Sequence, residues 1–207
     1  MPLALHVDHL FTSPWAMSVH VALTEKELPF TLHTVNLEAG QQGTPAYLDV
    51  ALTGRVPALV HDDFSLTESS AMTEYLEQVF PAPQYKALYP CGVRERARAR
   101  QLQSWLRSDL APLRAERDTE TVFFKKPCAP LTANGHAAAD KLLRAAERLI
   151  DGPNLFGAWS IVDTDLAIML HRLILNGDAV SQKVKDYAYG QWQRASVQRW
   201  LALHQPS

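Results

Sequence analysis

The hydrophobic period of this chain changes once, near residue 80, and that change constrains its architecture more than any other feature. Before Pro81, short apolar runs alternate with helical faces. Leu3–Val7 is such a run, and after Pro14 the residues Trp15, Val19, Ala22 and Leu23 recur at the spacing of one helix face. Pro14 suits a first helical turn, where a missing N–H costs nothing. Phe30–Leu37 carries the β-favouring Thr31, Thr34 and Val35. Val56–Val60 and Ser65–Thr67 follow, separated by the turn-like His61-Asp62-Asp63. Ala71, Met72, Tyr75, Leu76, Val79 and Phe80 then share one face of a second helix. The order β-α-β, an irregular stretch, then β-β-α predicts a small sheet with helices packed against it.

Pro81-Ala82-Pro83 and Pro90 punctuate a connecting segment, and beyond it every period is helical. Arg94 to Arg117 holds Leu102, Leu106, Leu110 and Leu113 at helical spacing, and Thr132 to Ile150 is rich in alanine and leucine. Ser160 to Asn176 is apolar on almost every side and predicts a buried central helix. Val180–Tyr189 and Ser196–His204 complete the pattern. The predicted fold class is α+β followed by all-α: a first domain over 1–81, a linker over 82–90 and a helical domain over 91–207.

Charge divides at the same place. Residues 1–80 hold two basic side chains, Lys26 and Arg55, against ten acidic ones, net −8; residues 81–207 hold eighteen against twelve, net +6. With 47% hydrophobic and 20% charged residues, the chain has the composition of a globular protein and should build real cores. The richest apolar stretch, Leu166 to Leu175, is interrupted by His171 and Arg172, which argues against a membrane span. No basic residue precedes a hydrophobic run at the start, so a signal peptide is not expected. Cys91 and Cys128 make neither a metal spacing nor a disulfide framework, which fits a reduced, cytoplasmic setting.

Three places in the first half carry chemistry. Thr12-Ser13-Pro14 puts a hydroxyl at a helix start, where unpaired N–H groups and the helix dipole favour an anion; the simpler role for Ser13 is a helix cap. Arg55-Val56-Pro57 enters a strand, where proline requires an edge, a strand start or a bend. Either isomer of the Val56–Pro57 bond is open, and a cis bond would turn the Val56 backbone outward to pair with an extended peptide ligand. Glu68-Ser69-Ser70 joins a strand to a helix. There, backbone donors and the Ser69 hydroxyl could hold a carboxylate while Glu68 holds an amine; the alternative is again a cap.

In this order and spacing the three resemble the cytosolic glutathione transferases, whose first domain is thioredoxin-like. That family carries a hydroxyl after strand one, a Val-Pro cis bond, and an acid–serine pair opening the third helix. Gly40-Gln41-Gln42 is similar to the glutathione loop of the zeta class. Ser160-Ile161-Val162-Asp163 resembles the capping box that opens the central helix of the family's second domain. The resemblance covers the whole chain, and Trp105–Leu110, Pro153–Gly157 and Gln191–Ser196 look most like a bacterial member.

The resemblance implies a glutathione-dependent enzyme. Ser13 would donate a hydrogen bond to the glutathione sulfur, Val56 would pair its backbone with the cysteinyl part, Glu68 and Ser69 would hold the γ-glutamyl end, and Gln42 would reach the glycyl end. The co-substrate would be glutathione, with no metal, and the partner a small hydrophobic electrophile or a peroxide. A homodimer is implied too, first domain against second, and the opposite charges of the halves would make it sensitive to salt. Zeta members carry a cysteine soon after the serine, where this chain has Pro14 and Trp15, which argues against maleylacetoacetate isomerase chemistry. The rival from another class is a non-catalytic binding module on the same fold. His6-x-x-His9 lacks a third ligand for a metal, and the arginines of Arg94–Arg100 read as a solvated helix face rather than a nucleic-acid surface.

Overall fold

The computed structural model describes residues 2–204. The chain forms two compact units, one running to Leu88 and including the stretch from Arg199, the other spanning Tyr89–Gln198.

The first unit is built on β1 (Leu3–Asp8), α1 (Pro14–Glu25), β2 (Phe30–Val35), α2 (Pro45–Leu48), β3 (Ala58–His61), β4 (Phe64–Thr67) and α3 (Ser69–Val79). The four strands lie in the order β2-β1-β3-β4. β1 and β2 are parallel, with Leu3 opposite Phe30, and β3 and β4 run antiparallel to their neighbours. A parallel pair needs a crossover, which α1 supplies. Every residue of α1 from Ala16 to Leu23 is buried, so the helix is core rather than cover. The stretch between β2 and β3, irregular in the sequence pattern, holds a 3-10 turn at Gln41–Gly43 and the four-residue α2.

On α3 the buried residues are Ser69, Met72, Thr73, Leu76 and Glu77, whereas the sequence pattern puts Ala71 and Val79 on the inner face. Val79 is exposed. The face is rotated because Glu77 is held inside by Lys26, whose Nζ lies 2.8 Å from Glu77 Oε2. Lys26 also donates to the carbonyls of Phe80 at 2.7 Å and Lys86 at 2.9 Å, and Glu77 accepts from the Leu88 N–H at 3.0 Å. Those bonds tie the proline-rich segment to the first unit. The sequence draws that domain to residue 81 with a linker over 82–90; the compact unit runs on to Leu88.

The second unit contains α4 (Val93–Ser108), α5 (Ala111–Glu116), α6 (Thr119–Phe123), α7 (Ala133–Leu149), α8 (Ile161–Ile174) and α9 (Gln182–Trp192). The leucine pattern across Arg94 to Arg117 belongs to two helices rather than one. Pro112 has no N–H to give and its ring would meet the Ser108 carbonyl; the chain breaks just before it, with Leu110 in the left-handed region at φ 62°. All fourteen residues of α8 are buried, five of them polar or charged: Asp163, Thr164, Asp165, His171 and Arg172. Such a helix is stable only if those groups find partners. Asp163 accepts from Leu155 N at 2.7 Å, Ser160 N at 2.8 Å and the Tyr187 hydroxyl at 2.8 Å. Asp165 accepts from Gln103 and Arg107, both at 2.9 Å. Arg172 donates to the Arg117 carbonyl at 2.6 Å. The capping box at Ser160 and Asp163 is formed.

α10 (Ala195–Leu201) leads into a 3-10 turn at Ala202–His204. From Arg199 the chain packs as part of the first compact unit. Trp200 is fully buried there, edge-on to Phe11 and His20.

Two buried histidines set a pH response. Burial lowers His20 to about 4, with Arg199 adding to the effect, and burial lowers His171 to about 4. Between pH 6.5 and 4 the unfolded chain binds protons that the folded chain refuses. Stability is therefore intact above pH 6.5 and falls as pH falls, by up to about 1.4 kcal/mol per pH unit for each histidine. Urea titrations at pH 7.5 and 5 should show the loss, and a His171→Gln variant should flatten the slope. An equal slope in that variant would assign the acid sensitivity elsewhere.

Candidate functional site

The strand register gathers the candidate residues at one end of the sheet. β1 leaves the sheet after Asp8, opposite Val35 of β2. His6 of β1 pairs with Ala58, the first residue of β3, and Ala58 pairs with Thr67, the last of β4. The loop to Ser13, the entry through Val56-Pro57 and the exit through Glu68-Ser69 therefore share an edge. Antiparallel pairing alone requires this, because one strand begins where its neighbour ends.

Asp8 builds the first loop from below. Its buried carboxylate accepts from the Thr12 N–H at 2.6 Å, the Thr12 hydroxyl at 2.9 Å and the Ser13 N–H at 2.9 Å. Ser13 caps α1: its Oγ accepts from Ala16 N at 3.2 Å. The cap and a donor role are compatible. A hydroxyl that accepts through a lone pair keeps its own hydrogen to donate, and that hydrogen rotates to suit. The first turn of α1 carries no acidic residue, so the dipole there is left to favour an anion.

The second loop is held by Tyr47 of α2, a residue that carries no sequence signal for this role. It packs with Val35, Ala51 and Ala58, with Val56 against the same cluster, and its hydroxyl donates to the Arg55 carbonyl at 2.9 Å. Burial pushes its phenol up to about 12, so it remains a donor at every working pH. The Val56–Pro57 bond is cis. Gly54 turns the chain at φ 59°, and a Cβ there would stand 3.4 Å from the Gln42 carbonyl. That approach brings Gln42 beside the Arg55-Val56 segment. The Gln42 amide oxygen is buried with no partner among the described residues.

Glu68 stands at the third junction in a sparsely populated conformation, φ 70° and ψ 106°. A non-glycine residue stays there only when its surroundings hold it, and such positions concentrate at functional sites. Ser69, the first residue of α3, is buried, while Glu68 is exposed. A helix start beside an exposed carboxylate suits a head group that carries both an anion and an ammonium. Arg55 is exposed at the same end and supplies a cation there.

Residues 12–79 match the N-terminal domain of glutathione S-transferases, and residues 92–205 match the C-terminal domain. Human glutathione S-transferase theta-1 is 34% identical over 136 residues, covering 64% of this chain and 55% of that protein. Mouse glutathione S-transferase theta-3 is 32% identical over 152 residues, covering 71% of this chain and 61% of that protein. The chain thus spans less than two-thirds of these curated relatives. A glutathione transferase homologue from Burkholderia, solved with bound glutathione, has a TM-score of 0.84 at 45% identity, over 99% of this chain and 98% of its own. Maleylacetoacetate isomerase from Methylobacterium extorquens AM1, solved with malonate and glutathione, has a TM-score of 0.76 at 27% identity, over 98% of each chain.

Proposed function

The chain belongs to the glutathione S-transferase family, and from that membership we propose that it binds reduced glutathione on its first unit and activates the thiol through Ser13. Residues 12–79 lie in the family's thioredoxin-like N-terminal domain and residues 92–205 in its helical C-terminal domain. In this reading the thiolate attacks a hydrophobic electrophile and displaces its leaving group to form a thioether. Toward an organic hydroperoxide the same thiolate attacks the outer oxygen and releases the alcohol, and a second glutathione reduces the resulting sulfenic acid to glutathione disulfide and water. The observation that carries it is the Ser13 hydroxyl at the start of α1, with its hydrogen unspent by the cap.

The remaining contacts follow from the chemistry of the tripeptide. Glutathione has an amide edge at its cysteine, which the Val56 backbone would complement. Its γ-glutamyl end carries a carboxylate and an ammonium, which Ser69 with the α3 start and Glu68 would hold. The Gln42 amide would reach the glycyl end. Glutathione is anionic, and the first half of the chain has a net charge of −8, so binding would rest on these local donors and Arg55 rather than on a long-range field. The reading includes a cytoplasmic homodimer and requires no metal.

Retention on immobilised glutathione, followed by turnover assays with an aryl halide and an organic hydroperoxide, tests the proposal. The protein should be retained and should turn over at least one of the two. Absence of both retention and turnover would instead favour a non-catalytic binding module.

A further inference from the structure

We propose that His204 is a positioning residue for the thiol-activating loop, acting from the C-terminal stretch of the first unit. His204 Nε2 lies 2.8 Å from the carbonyl oxygen of Phe11, two residues before Ser13. A carbonyl only accepts, so Nε2 carries the hydrogen in this contact. The N–H on the other side of the same peptide unit, that of Thr12, donates to Asp8 Oδ2 at 2.6 Å. One peptide plane is therefore pinned from both sides, by a carboxylate beneath it and an imidazole from the opposite end of the sequence. Ser13 follows that plane directly, and its own N–H is held by the same Asp8.

Phe11 is left-handed at φ 56°, a conformation that a bulky residue keeps only under external restraint. The restraint comes from the same C-terminal stretch. The Phe11 ring meets Trp200 edge-on at 5.8 Å, and Trp200 also packs edge-on to His20 of α1 at 5.2 Å. Trp200 grips both the loop and the helix that the loop leads into, while His204 fixes the orientation of the peptide between them. Without the His204 donor the Phe11 carbonyl loses its partner and the Phe11–Thr12 peptide is restrained from the Asp8 side alone. The direction in which the Ser13 hydroxyl points then relaxes. A hydrogen bond to a sulfur is worth most when its donor is already aimed.

This inference rests on Ser13 as the thiol donor, and the test separates the two. The readouts are the thiolate absorbance of bound glutathione against pH, and kcat and KM for glutathione. His204→Ala should raise the pKa of the bound thiol by about half a unit or more and lower kcat at pH 6.5 by roughly three- to tenfold, with KM within about twofold. His204→Leu, which keeps side-chain volume without a donor, should behave alike. His204→Gln should restore the wild-type pH profile, because its amide can donate to the same carbonyl. In a Ser13→Ala background, His204→Ala should add nothing, as expected for two residues acting as a unit. If His204→Ala and His204→Leu leave the thiol pKa in place while Ser13→Ala raises it, the positioning role is overturned and the proposed function stands. If Ser13→Ala itself leaves the thiol pKa unmoved, both are overturned.

Discussion

Replacing Ser13 by alanine should raise the pKa of bound glutathione by about one to two units, the value of one hydrogen bond to a charged group. A free thiol titrates near 8.5, and a helix start alone recovers only a fraction of a unit to a unit of that. If the wild-type site holds the thiol about two units below its free value, the thiolate population at pH 7 should fall roughly three- to 25-fold in the variant. The more basic thiolate attacks faster, which offsets part of the loss. Loss of alignment adds to it, and the net fall in turnover at pH 7 should be about tenfold. Above pH 9, where the thiol ionises unaided, the gap should narrow to a few-fold. This convergence identifies a pKa effect and excludes general damage to the site. Ser13 is also the α1 cap, so alanine should cost about 0.5–2 kcal/mol of stability. Ser13→Gly separates the two roles: a glycine cap costs only a few tenths of a kcal/mol, yet the hydroxyl is gone and the kinetic loss should remain. A thiol pKa unchanged in both variants would leave Ser13 a cap and nothing more.

The largest stability effect should come from Lys26→Met. The Lys26 side chain is fully buried and Glu77 nearly so, and the ammonium serves two carbonyls besides the carboxylate. Removing it leaves Glu77 buried without its cation, which costs about 3–5 kcal/mol. For a chain of this length that corresponds to a fall in Tm of roughly 10 °C or more. The carbonyls of Phe80 and Lys86 lose their donor at the same time, so hydrogen exchange should quicken most at Leu88 and its neighbours. Lys26→Met with Glu77→Leu should recover much of the loss, because removing both charges also removes their desolvation cost. A melting temperature within 2–3 °C of wild type for Lys26→Met would mean that water reaches the pair and that segment 81–88 is held by other contacts.

Lys26 also marks the limit of what a hydrophobic pattern conveys. Period and punctuation locate α3, but they place its inner face by counting apolar residues, and Glu77 is not apolar. That Glu77 turns inward depends on a lysine fifty-one positions earlier, and no local window contains both. Leu110 and Pro112 are a different case: the break between α4 and α5 is written locally, in a proline whose ring excludes the Ser108 carbonyl, and a continuous leucine spacing obscures it. The 3-10 turn at Gln41 and the short α2 have too few residues to express any period.

The switch near residue 80 in the sequence reappears in the structure as two units of different kind, a mixed sheet with helices and then helices alone. Why the sequence suffices for that is physical: strand and helix faces are written in adjacent residues, as are the serine that caps α1, the Val-Pro entry to β3 and the box at Ser160. What the tertiary structure alone decided is how those pieces are held. Asp8 beneath the Ser13 loop, Tyr47 on the Arg55 carbonyl, Lys26 on the segment beyond residue 80 and His204 on Phe11 all act across gaps that the chain crosses only by folding. A hydrogen bond between residues 193 positions apart leaves no trace in either one's neighbours.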